Sequence, residues 1–172
     1  MTKEETNKLV ELLKQIEPGF LNFDVFIQIA RLVVLSIIEF VPLRIKGDKI
    51  EVLLLSRGGD DPIWPNELHV PGTVIRPTDN ENKIYMAFNR IINEELKGTK
   101  LSEPYFVGSI LHKSKRGAEH AQVYWVEVKE EPKVGKFYPV DELPTNLIES
   151  QIKFIKQASK SFGDNIANYQ KK

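Results

Sequence analysis

Glu94 and Glu95 stand side by side at the end of a segment that is otherwise rich in apolar residues. On a helical wheel of ~100° per residue, Ile84, Phe88, Ile91, Ile92 and Leu96 fall in one arc. Glu95 lies inside that arc and Glu94 at its margin. Two close carboxylates repel each other, and an ionised one facing a core is costly unless something compensates it. A hard cation such as Mg²⁺ or Mn²⁺ prefers oxygen ligands and removes that repulsion. The same residues also allow a surface pair between Arg90 and Glu94, spaced i,i+4, and a buried arginine partner for Glu95. Upstream lies His69-Val70-Pro71-Gly72-Thr73, a tight turn ahead of the helix.

Further candidates flank this pair. Lys113-Ser114-Lys115-Arg116-Gly117 is a basic stretch suited either to phosphate oxygens or to a solvated hairpin tip, with Arg116 fitted for bidentate contact. Arg57 and Arg76 are additional phosphate-binding candidates. Glu119 and His120 precede a strand, and histidine titrates in the range proton transfer needs. His69 and His112 are weaker candidates, and the histidines have no zinc-ligand spacing. Trp64 or Tyr105 offers a ring for stacking on a base or for core packing.

The elements that must position these residues follow from periodicity and punctuation. Thr2 with Glu5 predicts a capping box opening a helix through Leu9 to Ile16, stopped by Pro18-Gly19. Asn22 or Asp24 caps a second helix through Phe26 to Leu32, apolar nearly all round and so expected to be buried or to lie in a homodimer contact. β-branched residues predict strands over Ser36–Ile45 and Ile50–Arg57, joined by Lys46-Gly47-Asp48-Lys49. Residues 58–67 read as loop. A Thr78–Glu81 capping box predicts a helix running to Leu96, with Gly98 as its stop. Strands follow near Tyr105–Leu111 and Ala121–Val128, then a last helix carrying Ile148, Ile152, Ile155 and Phe162. Strands alternating with helices indicate a layered α/β domain.

The chain has 172 residues, 41% hydrophobic and 28% charged, with 24 basic and 24 acidic side chains. With no net charge there is no global field to draw in nucleic acid or an anionic membrane, and neither is expected as a partner. The absence of cysteine excludes thiolate metal sites and cysteine nucleophiles. Polar and charged residues at Asp24, Gln28, Arg31 and Glu39 interrupt the apolar region from Phe20 to Val41, and no signal-peptide pattern appears, so the expectation is a cytoplasmic protein.

From Gly72 to Gly98 the chain resembles a Nudix box, G-x5-E-x7-R-E-U-x-E-E-x-G-U. Arg90-Ile91-Ile92-Asn93-Glu94-Glu95-Leu96 matches its R-E-U-x-E-E-x segment, except that Ile91 replaces the first glutamate. Val70-Pro71-Gly72-Thr73 is similar to the family's Pro-Gly-Gly turn, and Arg76-Pro77-Thr78-Asp79 resembles the turn that ends in the motif's upstream acid, with Asp79 in that acid's place. Ile50–Arg57, Trp64 and Phe137–Pro144 resemble further family elements. The resemblance implies an α/β fold: a Nudix-type α/β/α sandwich around a mixed β-sheet at 36–172, with residues 1–35 as an N-terminal helical extension. It implies Mg²⁺ (or Mn²⁺) held by Glu94, Glu95 and the backbone oxygen of Gly72, with Glu119 or His120 activating water. The implied activity is metal-dependent hydrolysis of a nucleoside diphosphate linked to another moiety. The loss of an acid at Ile91 favours the alternative, a catalytically impaired nucleotide-binding or sensor module. An interaction domain using the N-terminal helices is a third class.

Overall fold

The computed structural model describes residues 1–19, 21–79 and 84–169. Phe20 and Glu81, the expected partner in the Thr78 capping box, lie outside them. The first helix, α1 (Lys3–Leu13), has the expected reciprocal box: Thr2 Oγ1 accepts from Glu5 N–H, and Glu5 accepts from Thr2 N–H. It buries none of its residues. Helix α2 (Phe23–Ala30) is capped by Asn22, whose side chain accepts from Asp24 N–H at 2.9 Å.

Strand β1 (Leu35–Lys46) is the axis of the molecule. It turns at Gly47-Asp48 into β2 (Lys49–Ser56), in the antiparallel register Lys46↔Lys49. Its first half pairs antiparallel with β4 (Gly72–Val74), through Glu39↔Gly72, and Leu35 to Leu43 pair parallel with β6 (Ala118–Glu127). The edge strand β5 (Tyr105–Lys113) pairs antiparallel with β6. Short β3 (Leu68–His69) and β7 (Lys136–Pro139) both pair with β2. The sheet is therefore mixed.

Its two faces are covered by different helices. On one, Ile37, Val41 and Leu43 pack with Phe154, Ile155, Ala158 and Phe162 of α4 (Ile152–Tyr169), and Ala30 of α2 joins them. On the other, Ile38, Phe40 and Leu53 pack with Ala87, Phe88, Ile91 and Leu96. This is the expected α/β/α sandwich. No helix among the described residues is long and apolar enough to cross a membrane.

The helix carrying the acids departs from expectation in two ways. It begins as α3 at Tyr85, not at Thr78, because residues 75–79 are held as a loop by Asp79. Asp79 accepts from Arg76 N–H at 2.8 Å and takes the Arg90 guanidinium in a two-pronged pair; Arg90 also donates to Val74 O at 3.1 Å. Arg90 thus pairs with Asp79 rather than Glu94. Second, α3 (Tyr85–Arg90) passes into a π-helical turn, Ile91–Glu95, closed by Leu96 N–H donating to Ile91 O at 3.0 Å.

Candidate active site

Gly72 is where the elements converge. A Cβ there would stand 2.5 Å from Glu39 Oε2 and 2.8 Å from Ile38 O, so only glycine lets β4 approach β1 this closely. The wide π turn carries Glu95 to the same point, where its Oε2 accepts from Gly72 N–H at 3.3 Å. π turns of this kind recur at functional sites because they re-aim side chains without ending the helix. Burial pushes the Glu95 pKa up to about 7, while the Gly72 N–H and Arg57 pull the other way. Glu94 is exposed beside it. Ile91 points away, wholly buried in the α3-side core.

Glu39, which the sequence marks only as a break in an apolar run, is a central member of the site. It is 6% exposed, and its Oε2 accepts from Gln151 Nε2 at 3.3 Å. Burial raises its pKa well above the carboxylate range. The nearby Glu95 and Glu119 carboxylates add to the rise, and Arg116 opposes it.

Glu119 is buried at 2% exposure, and its Oε1 receives both Nε and Nη2 of Arg116, each at 2.7 Å. The structure places His120 on the exposed opposite face of β6, as strand alternation requires, so it is not part of the site. His112 takes that place instead: cross-strand register sets it opposite Glu119, with its Nε2 3.4 Å from Glu119 Oε2. Burial lowers its pKa, which favours the neutral ring. The tight tip between β5 and β6, closed by Ser114 N–H donating to Gly117 O at 2.8 Å, sets this pairing.

The loop 58–67 supplies the arginine platform. Trp64 is buried, and the guanidinium carbons of Arg57 and Arg116 each lie 5.1 Å from its ring centre, within cation–π range. Its ring therefore positions two arginines and is not available to a base. Arg57 is further held by Asp61 at 2.9 Å. Burial opposes the Asp61 charge, but N–H groups of Trp64 and Ile63 and the Arg57 guanidinium outweigh it and hold its pKa low. Lys115 donates to Glu67 at 2.6 Å, so the hairpin tip is folded onto this loop. His69 is buried and its pKa falls to about 4, leaving a neutral ring that donates to Val70 O. Tyr105 stacks on Trp125 at 4.8 Å, away from these groups.

Arg57, Arg76 and Arg116 line one cavity of about 640 Å³ together with Gly72, Glu95 and, from the N-terminal segment, Phe23, Phe26 and Ile29. A smaller cavity of about 40 Å³ lies among Glu39, Arg116, Glu119 and Gln151. Among the described residues no three Asp, Glu or His side chains are gathered at metal-ligand spacing. The donor chemistry nevertheless fits a hard divalent cation. Burial disfavours the Glu95 carboxylate charge more than Gly72 N–H and Arg57 support it, a deficit a cation would offset; the Gly72 backbone is beside it, and Glu94 is the adjacent carboxylate.

No family model matches the sequence, and no curated protein matches it. Solved structures do match in fold. A mutT/nudix family protein from Listeria innocua superposes with a TM-score of 0.58 at 15% identity, covering 77% of this chain and 96% of that one. C. elegans Ap4A hydrolase gives 0.56 at 16% identity, covering 76% and 99%. The NUDIX domain of Shewanella oneidensis NrtR, complexed with ADP ribose, gives 0.57 at 17% identity, covering 94% and 99%. With its mixed sheet between two helical layers and its acidic π turn set against Gly72, this chain has the Nudix fold.

Proposed function

We propose that this protein is a divalent-cation-dependent hydrolase of a nucleoside diphosphate linked to another moiety. The observation that carries the reading is the meeting of Glu95 with Gly72 at the edge of a cavity lined by Arg57, Arg76 and Arg116. Glu94, Glu95 and the Gly72 carbonyl would hold Mg²⁺ or Mn²⁺, which when bound polarises a phosphoryl oxygen. The arginines orient the diphosphate, with Trp64 fixing the spacing of two of them. Because position 91 is an isoleucine in the core, the proton of the attacking water must go elsewhere. Glu119 is the acceptor: Arg116 partners its charge on one oxygen, and the other faces the neutral His112 ring.

Turnover of a nucleotide panel with Mg²⁺ or Mn²⁺, comparing native protein with Glu95→Gln, tests this. The expected result is metal-dependent phosphate or nucleotide release lost in the variant. Equal turnover in both proteins would overturn the assignment of Glu95. The burial of Ile91 where the Nudix box has an acid favours a second reading, a nucleotide-binding module without turnover. Saturable nucleotide binding with no product decides for that one.

A further inference from the structure

We infer that α2 is part of the ligand site, and that Phe23 and Phe26 form the surface against which the base of a nucleoside diphosphate lies. This rests on the diphosphate reading above and adds the class of group attached to it. The 640 Å³ cavity has a lining of two kinds: Arg57, Arg76 and Arg116, and Phe23, Phe26 and Ile29 of α2. A cavity of this size matches those that enclose whole small ligands, and a diphosphate alone would leave its apolar lining uncovered.

A close contact ties α2 to the hairpin that carries Arg116. Ala30, at the end of α2, is fully buried, and its carbonyl presses on Gly117, where a Cβ would stand only 2.4 Å away. Gly117 also has φ +147, which disfavours any side chain. The residue before it is Arg116. The hairpin that presents an arginine to the cavity therefore also anchors the helix that presents the aromatic rings.

A cavity lined by both aromatic rings and guanidiniums selects a ligand with a flat π face and an anionic group. A sugar diphosphate lacking a base would set hydroxyls against these rings and leave them without partners. Phe23 is 42% exposed, so its ring is accessible to a ligand.

The test is calorimetric, on the full chain with Mg²⁺ present, using α,β-methylene ADP and methylenediphosphonate as paired probes. Phe23→Ala should weaken α,β-methylene ADP about tenfold, the size of a lost base–aromatic stack, and leave methylenediphosphonate unchanged. Phe23→Trp should restore nucleotide affinity. Weakening of both probes alike, or of neither, overturns the role of α2 while leaving the diphosphate site standing. Failure of the native protein to bind either probe overturns the diphosphate reading and this inference with it.

Discussion

Glu95 and Ile91 sit on one turn and meet opposite environments, and each sets a prediction at the scale of a single side chain. In the unfolded chain Glu95 titrates near 4.5; in the fold it titrates at about 7. Below the lower value the acid is protonated in both states and its burial costs nothing. The cost accrues as pH rises from there and is complete above about 7. Glu95→Gln should therefore match the native protein at pH 4 and exceed its stability at pH 8, in metal-free buffer, by up to ~3 kcal/mol. Urea denaturation at the two pH values checks this, and a difference independent of pH would remove the burial argument. Restoring the box acid with Ile91→Glu has the reverse sign. The side chain is fully buried among Ile38, Phe40 and Phe88, so a carboxylate there should cost ~3 kcal/mol or more, read as a fall in urea midpoint. An unaltered midpoint would mean that the residue can reach solvent. The pairing of Glu94 with Glu95 was legible in the sequence because both lie on one short turn. Glu39 was not: a lone acid in an apolar strand acquires meaning only when Gly72, 33 positions later, is brought against it.

At the scale of elements, periodicity read the strands well and the acidic helix less well. β-branched runs and the Gly47-Asp48 turn fixed β1 and β2 almost to the residue, because a tight hairpin leaves one register. The helix was read at a uniform α spacing, and nothing in residues 91–95 distinguishes a π turn from an α turn. What selects it is tertiary: Ile91 and Leu96 are both fully buried, and the wider turn keeps both inside while Glu95 reaches Gly72. The delayed start of α3 has a similar origin, since the Asp79–Arg90 clamp is a long-range pair that outweighs a local cap. Deleting Asn93, which is exposed, should return the turn to α spacing and rotate the acids relative to the buried residues. The expected outcome is a loss of Mg²⁺ affinity of at least about tenfold, the scale of removing one supporting contact from a metal site, with far-UV circular dichroism nearly unchanged. Undiminished magnesium uptake would show that the π turn does not aim the ligands.

For the whole molecule, the layered architecture was legible because helices flank the strands in order, but the central role of β1 was not. That strand pairs with β2, β4 and β6, and alternate residues feed the two cores: Ile37 and Val41 toward α4, Ile38 and Phe40 toward α3. Neither core can lose its share of β1 without opening the ladder that the other depends on. Both should therefore unfold together, although they are separated by the sheet. Ile38→Ala removes methyl groups from the α3 side alone and should cost ~2–5 kcal/mol. Trp125 packs on Phe162 of α4 on the opposite face, and Trp64 lies beside the arginines, so both fluorophores report from outside the damaged core. If β1 couples the faces, the fluorescence midpoint in urea falls by the same amount as the circular dichroism midpoint, in one transition. Two separated transitions, with tryptophan emission holding its native midpoint, would mean that the α4 face survives alone. The site would then straddle two independent units, because Glu39 and Gln151 belong to the α4 side of the sheet while Glu95 arrives from the α3 side.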